Sequence, residues 1–364
     1  MHPKKIYVLV GEASGDLHAS NLIKELRKLH PNITVQGWGG NLMQQQGVTI
    51  LKPYSELAFM GFVEVVKNLN TIRKNFAVCK QQITAFAPDV LLLVDYPGFN
   101  LRMAKWAKLQ GYKTIYYISP QIWAWKESRI HDIKKYVDVM MCILPFEKNF
   151  YQKHNYPVHY VGHPLVKVVN DYKATSTTTN KQHTIVLLPG SRKQEIEAQL
   201  PLMLNVTTLL PQHNYVVAMA PSIQVTYYNT LLQGYSNVKA QKGDTYSLLC
   251  NAKAALVTSG TATLETALFK VPQIVCYKGN AISYAIAKRL LKIKYISLVN
   301  LILNKPAITE LIQKECTPII IANKLTQLLQ PQANLLKDYN ELEQLLTQGG
   351  NASVNAAKLL LKQL

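Results

Sequence analysis

The chain has 364 residues, of which 48% are hydrophobic and 17% are charged. This length favours two domains, and this composition supplies a large buried core and excludes a disordered or fibrous chain. The formal net charge of +19 makes anionic membranes, nucleic acids and phosphorylated substrates the candidate partners.

No apolar run has the length of a membrane-spanning helix, and residues 1–5 lead into a strand without the apolar core of a signal peptide. The five cysteines lie far apart and form no metal-binding pair. We therefore expect a cytosolic protein with reduced thiols. The basic residues are spread widely and form no zinc-finger or RNA-recognition signature, so nucleic acid is the weakest of the three candidates.

The first half of the chain alternates predicted strands and helices. An apolar strand at 6–10 ends in the glycine-rich turn GEASGD, residues 11–16, and a helix follows at 17–29. The two glycines would let a ligand approach the backbone, and Ser14 and Asp16 could contact sugar hydroxyls. The alternative, a tight turn in which Asp16 caps the helix, is favoured by the pattern alone.

A helix is predicted at about 62–76, where apolar residues recur at helical spacing beside lysine and arginine. A basic amphipathic helix can lie on an anionic membrane surface. The alternative is a helix that packs on the core and exposes its basic face to solvent. That alternative is at least as compatible with the pattern.

A buried strand at 89–94 runs into the turn DYPGFN, which begins at Asp95. A carboxylate at the C-terminal end of a strand, in a turn stiffened by Pro97, is well placed to act as a general base. The alternative is a carboxylate that caps a helix or a turn. We favour the base, because Asp95 is predicted at the same sheet edge as residues 11–16.

Trp123 and Trp125 follow the next predicted strand, in the sequence SPQIWAWK at 119–126. They could line an apolar or sugar-binding cleft, or they could belong to a core between domains. The polar, threonine-rich segment 171–183 has no apolar periodicity and is predicted as a linker. Strands and helices alternate on both sides of it, which predicts domains at 1–170 and 184–348 and a last helix within 349–364.

The second half begins with a strand at 184–188 that feeds the turn PGSR, which ends at Arg192. Backbone N–H groups and a bidentate arginine are typical of a diphosphate site. Lysine greatly outnumbers arginine in this chain, so each arginine suggests a position where a planar fork is needed.

A second strand, turn and helix is predicted in VTSGTATLE, residues 257–265. The N–H groups of Ser259, Gly260 and Thr261 at the start of the helix suit a phosphate. Glu265 lies one turn further on the same face and could accept hydrogen bonds from two ribose hydroxyls. A helix capped by Ser or Thr, with a glutamate favoured by the helix dipole, is an equally good interpretation.

Together these patterns predict two Rossmann-like α/β domains that face each other across a cleft and bind a nucleotide sugar. The chain contains no Asp-x-Asp pair, so we expect no divalent metal at the diphosphate and no cofactor. Arg192 and the helix N-terminus would then stabilise a leaving UDP electrostatically.

The sequence resembles the lipid-A-disaccharide synthase family, inverting glycosyltransferases of the two-domain GT-B type. The resemblance covers nearly the whole chain and depends on ten short motifs in the same order. These motifs are GEASGD (11–16), FMGFVEV (59–65), DYPGFN (95–100), SPQIWAWK (119–126), LPFE (144–147), GHP (162–164), LPGSRKQEIE (188–197), TSGTATLE (258–265), YISLVNLI (295–302) and GGNAS (349–353).

The resemblance implies a hexosyltransferase that joins UDP-2,3-diacylglucosamine to 2,3-diacylglucosamine 1-phosphate. The acceptor's 6-hydroxyl would attack the anomeric carbon, giving the β-1,6-linked lipid A disaccharide 1-phosphate and UDP. Asp95 matches the family's proposed general base, and Ser14 lies in the loop near the reacting sugars. The positions that match UDP contacts are Arg192, Ser259, Gly260, Thr261, Glu265 and Asn300.

The family usually carries a second aspartate three residues after the first, and here that position is Gly98. This departure either supports Asp95 as the base or weakens the motif. The family also forms a dimer with exchanged C-terminal segments, which would place Asn300 in the partner's site.

Because both substrates carry acyl chains, the resemblance also favours membrane and acyl-chain contact for the basic amphipathic helix. The enzyme would be peripheral on the cytosolic face of the inner membrane. The apolar residues expected to contact lipid are Phe59, Met60, Phe62, Val65, Val66, Leu69 and Ile72.

Two rival functions stay open from the sequence. A UDP-sugar 2-epimerase of the same fold would share the donor site but need no apolar acceptor region. A non-catalytic, basic membrane-surface or nucleic-acid-binding protein would not need Asp95, Arg192 and Glu265 at three separate strand ends.

Overall fold

A computed structural model describes residues 4–57, 69–176, 184–221, 223–280, 284, 289 and 293–364. The chain divides into two compact units. Unit 1 comprises Met1–Pro164 and Thr347–Leu364, and unit 2 comprises Leu165–Leu346. In the described ranges, no helix is both long enough and apolar enough to cross a membrane.

Unit 1 alternates strands with helices, and short 3₁₀ turns lie at Tyr54–Glu56 and Glu127–Arg129. Its elements are β1 (Lys5–Val10), α1 (Ala13–Leu29), β2 (Thr34–Gly39), α2 (Asn41–Gln45), β3 (Thr49–Pro53), α3 (Leu69–Phe86), β4 (Val90–Val94), α4 (Pro97–Leu109), β5 (Lys113–Tyr117), α5 (Ile130–Tyr136), β6 (Val139–Cys142), α6 (Glu147–Lys153) and β7 (His159–Tyr160).

The strands of unit 1 form one parallel sheet in the order β3-β2-β1-β4-β5-β6-β7. All five residues of the central strand β4, VLLLV, are buried. Alternate side chains enter two separate clusters, with Val90, Leu92 and Val94 on one face and Leu91 and Leu93 on the other. Burial on both faces explains why the strand is continuously apolar rather than alternating.

Unit 2 repeats this arrangement. Its elements are α7 (Pro164–Thr175), β8 (Thr184–Leu188), α8 (Lys193–Leu209), β9 (Asn214–Met219), α9 (Val225–Leu231), β10 (Val238–Lys242), α10 (Thr245–Cys250), β11 (Ala252–Thr258), α11 (Ala262–Leu268), β12 (Gln273–Tyr277), α12 (Leu298–Leu303), β13 (Thr309–Ile312), α13 (Pro318–Leu328) and α14 (Ala333–Thr347). The sheet is parallel, in the order β10-β9-β8-β11-β12-β13.

After unit 2 the chain returns to unit 1 as α15 (Ala352–Leu361). Ala356, Ala357 and Leu360 of this helix are buried in the same cluster as Leu22 of α1. The Asn355 amide donates to the carbonyls of Val161 and Gly349. The GHP and GGNAS motifs therefore lie against each other where the chain leaves and re-enters unit 1.

A Cβ at Gly162, whose φ is +96°, would lie 2.5 Å from the Gly350 carbonyl oxygen. This contact leaves room only for glycine. The two motifs therefore have a structural role in unit 1.

The described helices differ from the predicted ones at two points that concern function. Helix α1 begins at Ala13 rather than at residue 17, so Ser14 and Asp16 lie in its first turn. Helix α3 continues to Phe86, ten residues past the predicted end at 76. Asp16 can lie inside α1 because its carboxylate accepts hydrogen bonds from the backbone of residues 40–43 and does not compete with the bonds of its own helix.

Candidate active site

The turn after β4 holds Asp95 in a strained backbone conformation. Asp95 and Tyr96 have φ angles of 47° and 49°, in the left-handed region that residues other than glycine rarely adopt. Strain of this kind costs about 1–3 kcal/mol per residue, and it clusters at functional sites. The conformation therefore requires support from neighbouring groups.

Two side chains supply that support through the Asp95 main-chain oxygen. The amide of the fully buried Asn100 donates to this oxygen at 2.8 Å and to the Val94 oxygen at 3.2 Å. The hydroxyl of Tyr116, on the neighbouring strand β5, donates to the Asp95 oxygen at 2.6 Å. The backbone of Asp95 is thus fixed by its carbonyl, and the carboxyl group is not used for this purpose.

The environment of the Asp95 carboxyl raises its pKa. Burial, as the larger cause, and the nearby Glu12 carboxylate raise the pKa of Asp95 to about 6, and the backbone N–H of Tyr96 partly offsets them. A general base works best when its pKa lies near the working pH. Strained backbone and raised pKa coincide at the residue that the sequence singled out as the base.

The glycine-rich segment 11–16 packs directly on the Asp95 turn. A Cβ at Gly11 would overlap the ring of Tyr96, so glycine is required for this close approach. Ser14 is exposed in the first turn of α1. Asp16 is 2% exposed and accepts hydrogen bonds from the backbone N–H groups of residues 40, 42 and 43. Asp16 is therefore a capping carboxylate, but it caps α2 rather than its own helix.

Gly98 is exposed on the first turn of α4, and a Cβ there would meet no atom within 4 Å. The position could hold an aspartate without steric cost. The glycine is therefore not demanded by packing, and Asp95 is the one carboxylate of the DYPGFN motif.

In unit 2, Arg192 follows β8 and is engaged by Glu195 in the first turn of α8. The Arg192 guanidinium lies 3.1 Å from Glu195 Oε1. Glu195 Oε2 accepts from the backbone N–H groups of Ser191 at 2.9 Å and Arg192 at 3.2 Å. Such N–H groups and a planar cation are typical of an anion site, and here they bind a carboxylate of the chain itself.

The turn after β11 presents Ser259, Gly260 and Thr261 at the C-terminal end of the strand. Thr261 is the N-cap of α11 but makes no side-chain cap bond. The Ser259 hydroxyl instead donates to the Ile296 carbonyl at 2.7 Å. Gly260 and Thr261 are exposed, and a Cβ at Gly260 would meet no atom within 4 Å. The capping interpretation therefore does not account for Ser259 or Thr261.

Asn300 lies on α12, where it is 1% exposed. Its amide donates to the Ile308 carbonyl and to the Glu310 carboxylate, both at 2.9 Å, and accepts from the Ile308 N–H. Glu310 also accepts from the N–H groups of Ile296 and Ser297 and from the Ser297 hydroxyl. One connected network thus joins Ser259, through the segment 296–297, to Asn300.

Glu265 is half-buried on α11, and burial raises its pKa. The Tyr246 hydroxyl donates to it at 2.8 Å, which offsets part of that rise. Like Arg192, Glu265 already has a partner within unit 2, so a ribose contact would share or replace an existing hydrogen bond.

The two tryptophans of SPQIWAWK have different environments. Trp123 donates to the buried carboxylate of Glu147, in the LPFE motif, at 3.2 Å, and packs edge-on to Phe146. Burial is the main reason why the pKa of Glu147 rises to about 7. Trp125 is 48% exposed. Trp123 therefore joins two motifs within unit 1, whereas Trp125 presents its ring to solvent.

Five of the residues expected to contact lipid, Phe59, Met60, Phe62, Val65 and Val66, lie outside the described residues. Leu69 opens α3, and Ile72 is half-buried on it. Phe76 is one of the apolar residues that recur at helical spacing in 62–76, and it stacks on Phe99 with 4.1 Å between ring centroids. The C-terminal end of this apolar helix face therefore contacts the core of unit 1.

The sequence patterns assigned no role to the residues that hold Asp95, Arg192 and Asn300 in place. Glu195 could have been found, because a glutamate three residues after an N-cap is a capping-box signal. Asn100, Tyr116 and Glu310 carry no such local signal. Among the residues that the structure describes, no group of three or more His, Cys, Asp or Glu is arranged to hold a metal ion.

Two successive α/β units, each built on a parallel sheet, are the architecture of the GT-B fold. The glycosyltransferase of kitacinnamycin has this fold, with a TM-score of 0.70, 14% identity and complete coverage of both chains. The UDP-GlcNAc 2-epimerase from Neisseria meningitidis shares it, with a TM-score of 0.56, 15% identity and 99% of each chain covered. At these identities the likeness concerns the fold alone.

The sequence comparisons are more specific. The family model described as lipid-A-disaccharide synthetase matches residues 6–364. Lipid-A-disaccharide synthase from Coxiella burnetii (strain CbuG_Q212) is 36% identical over 372 residues, which cover 99% of this chain and 98% of the relative. The chain belongs to the lipid-A-disaccharide synthase family. It is a glycosyltransferase of lipid A disaccharide synthesis, and the epimerase alternative is not favoured.

Proposed function

We propose that this enzyme transfers 2,3-diacylglucosamine from UDP to the 6-hydroxyl of 2,3-diacylglucosamine 1-phosphate, with Asp95 as the general base. The observation that carries the proposal is the Asp95 turn. A carboxyl with a pKa of about 6 is held by two side chains in a strained conformation at the end of a central strand.

In the proposed reaction Asp95 takes the proton of the acceptor's 6-hydroxyl as that oxygen attacks the anomeric carbon. The bond to UDP breaks on the opposite face of the sugar, which inverts the configuration and gives the β-1,6 linkage. The fixed backbone of Asp95 supports this role because a base that is already oriented loses little entropy in the transition state. Ser14, exposed on the first turn of α1, is proposed to contact the reacting sugars.

We assign the diphosphate to the turn after β8. The negative charge of the diphosphate would be stabilised by the Arg192 guanidinium and by the N–H groups of Ser191 and Arg192. These donors hold the Glu195 carboxylate at 2.9–3.2 Å, so UDP binding would exchange one anion for another. That the site already binds an anion of the chain itself supports its fitness for a diphosphate.

The remaining UDP contacts are proposed at the turn after β11. Ser259, Gly260 and Thr261 would approach the phosphates or the ribose, and Glu265 would accept from the ribose hydroxyls. The exposed Gly260, with open space around it, supports a close approach of the backbone to a ligand. Asn300 is also proposed as a UDP contact. In the single chain its network links it to Ser259, and in an exchanged dimer it would serve the partner's site.

We also propose that unit 1 binds an anionic membrane surface and the acyl chains. In α3, Arg73 and Lys74 are exposed, and so is Val78 at 40%. Such basic and apolar side chains favour an anionic interface. Flotation with vesicles should show binding to anionic lipid and little binding to neutral lipid at the same salt concentration. Equal binding to both would contradict an electrostatic contribution.

A homodimer with exchanged C-terminal segments is the proposed assembly. In the single chain, α15 packs on α1, and an exchanged dimer would reproduce that contact between two chains. Light scattering during size-exclusion chromatography measures the mass directly. A monomer at all protein concentrations would contradict this assembly.

The activity test supplies both glycolipids in neutral detergent with EDTA and measures UDP and disaccharide together. Matched formation of both products is expected, because Arg192 and backbone N–H groups supply the positive charge at the diphosphate. UDP release without disaccharide would contradict the acceptor assignment. Tight UDP binding with interconversion of UDP-sugars, and no transfer, would support an epimerase instead.

A further inference from the structure

Trp125 and Arg129 form a cationic and aromatic surface in the segment that follows β5, the strand paired with β4. The Arg129 guanidinium lies 5.4 Å from the centre of the Trp125 ring, and the Lys126 ammonium lies 4.7 Å from it. Trp125 is 48% exposed, and Arg129 is half-buried. The aromatic face fixes the guanidinium in place while one side of the group stays accessible to solvent.

Among the residues that the structure describes, these two cations have no carboxylate partner. Glu127, the nearest carboxylate along the sequence, pairs with His154 at 3.2 Å. Within the described ranges, neither Arg129 nor Lys126 forms an ion pair with a carboxylate or donates a side-chain hydrogen bond. By contrast Arg192, the diphosphate candidate, holds Glu195 at 3.1 Å. A fixed guanidinium without an internal acceptor suits an external anion.

The position of this surface follows from the sheet. Strand β5 pairs with β4 from Val90 to Val94, and the Asp95 N–H donates to the Tyr117 carbonyl at 3.0 Å. The segment with Trp125 and Arg129 leaves the same sheet edge from β5. The Arg129 charge also acts on Tyr116, whose hydroxyl donates to the Asp95 carbonyl. Arg129 therefore follows the strand next to the one that leads to the proposed base, and its charge reaches Tyr116, which bonds the base's backbone.

The chemistry of the acceptor places an anion in this neighbourhood. In a hexose 1-phosphate the ring oxygen joins C1 and C5; C1 carries the phosphate, and C5 carries C6 with its hydroxyl, so the two groups lie on the same side of the ring's outline. A sugar whose 6-hydroxyl reaches Asp95 must therefore hold its phosphate close to Asp95 as well. The phosphate also distinguishes the acceptor from a neutral diacylated glucosamine, and a planar guanidinium binds it through two N–H groups.

We infer that Arg129, stacked on Trp125 and assisted by Lys126, binds the phosphate of the glycolipid acceptor and selects phosphorylated over unphosphorylated acceptors. The inference rests on the proposed function, because it takes Asp95 as the base and a hexose 1-phosphate as the acceptor. It gives the SPQIWAWK motif a task that neither the base nor the UDP site performs.

The test compares Arg129→Gln with the wild-type enzyme on two acceptors, 2,3-diacylglucosamine 1-phosphate and the α-methyl glycoside of 2,3-diacylglucosamine, in neutral detergent. Arg129→Gln should lose on the order of 10- to 100-fold in kcat/KM for the phosphorylated acceptor, the value of a charged hydrogen bond. Its kcat/KM for the methyl glycoside should stay unchanged. The ratio of kcat/KM between the two acceptors would then fall, mainly because KM for the phosphorylated acceptor rises.

Lys135→Gln is the matched control. It removes a cation that lies 5.4 Å from an aromatic ring, that of Tyr136, on the helix that follows Arg129. This variant should keep the wild-type preference. Arg129→Lys keeps the charge without the fork and should recover only part of the loss. UDP binding, measured by calorimetry, should be the same in all of these proteins.

Four results would overturn the inference. Equal losses on both acceptors would assign Arg129 a structural role, and no loss would remove it from the site. A loss that occurs on anionic vesicles but not in neutral detergent would assign it to bulk lipid head groups. If the wild-type enzyme binds UDP but transfers to neither acceptor, the proposed function fails, and this inference fails with it.

Discussion

The two units present polar turns at the ends of similar sheets but use their internal hydrogen bonds differently. In unit 1 these bonds are made to the backbone of Asp95, and burial raises the pKa of its carboxyl to about 6. In unit 2 they fall on the side chains themselves: Arg192 holds Glu195, Glu265 accepts from Tyr246, and Asn300 bonds Ile308 and Glu310. The same fold therefore carries two kinds of site.

The difference follows from what each site would have to do. A general base must be oriented before the reaction and must keep its proton acceptor available. A binding site for a diphosphate can hold an internal anion until the ligand replaces it, because the exchange conserves the number of charged hydrogen bonds. A fixed base and an exchangeable binding site should therefore respond differently to substitution.

The largest effect is expected for Asp95→Asn. Asparagine tolerates the left-handed backbone well, so the turn should persist while the base is lost. Turnover should fall about 10²- to 10⁴-fold, with UDP affinity unchanged. The control is Asp89→Asn at the opposite end of the same strand, where an exposed carboxylate accepts from the Lys5 N–H. Retained turnover in Asp95→Asn would remove Asp95 from this role.

A double variant sharpens this prediction. Gly98→Asp introduces the family's usual second aspartate at a position with open space. Added to Asp95→Asn, it should not restore turnover, because the Gly98 backbone lacks the bonds that orient Asp95. Recovery to within a few-fold of wild type would show that any carboxylate in this turn suffices.

The second largest effect is expected for Arg192→Lys. Lysine keeps the charge but lacks the fork, so one charged hydrogen bond to the diphosphate should be lost. UDP affinity measured by calorimetry should fall on the order of 10-fold. Lys193→Gln removes a neighbouring exposed cation that lies 3.8 Å from Glu197, and its UDP affinity should match wild type. Unchanged affinity in Arg192→Lys would argue against diphosphate binding there.

Asn300→Ala should mainly change stability. The substitution leaves the Ile308 backbone groups and one Glu310 contact without partners in a buried place, which costs about 1–3 kcal/mol. The urea midpoint of unit 2 should therefore fall, and UDP affinity should fall with it. If affinity falls while the midpoint stays constant, Asn300 contacts UDP directly rather than through the network around Ser259.

The smallest effect is expected in the pH profile. Because Asp95 must be ionised to act as a base, kcat/KM should decline as pH falls through about 6, the pKa of the folded enzyme. Glu12→Gln removes the nearby negative charge, which lowers the pKa of Asp95 and moves this limb to lower pH. The shift should be partial, because burial is the larger cause. A limb that moves to higher pH would contradict this electrostatic account.

The sequence by itself determined the class of fold and the identity of the candidate base. Continuously apolar strands such as VLLLV, each followed by small polar residues, predict parallel sheets with functional turns at one edge, because both signals are local. The motifs also placed Arg192 and Ser259 in the turns that follow two strands, where the structure describes them, and Glu265 lies on the helix after the second turn.

Only the tertiary structure decided how each of these residues is used. Asp16 caps α2 rather than α1, Glu310 holds Asn300, and Asn100 and Tyr116 fix the backbone of Asp95. Several of these bonds join groups that are ten or more residues apart. Local patterns show which residue types are present, but hydrogen-bond partners and burial depend on which strands become neighbours. That pairing is a property of the folded chain.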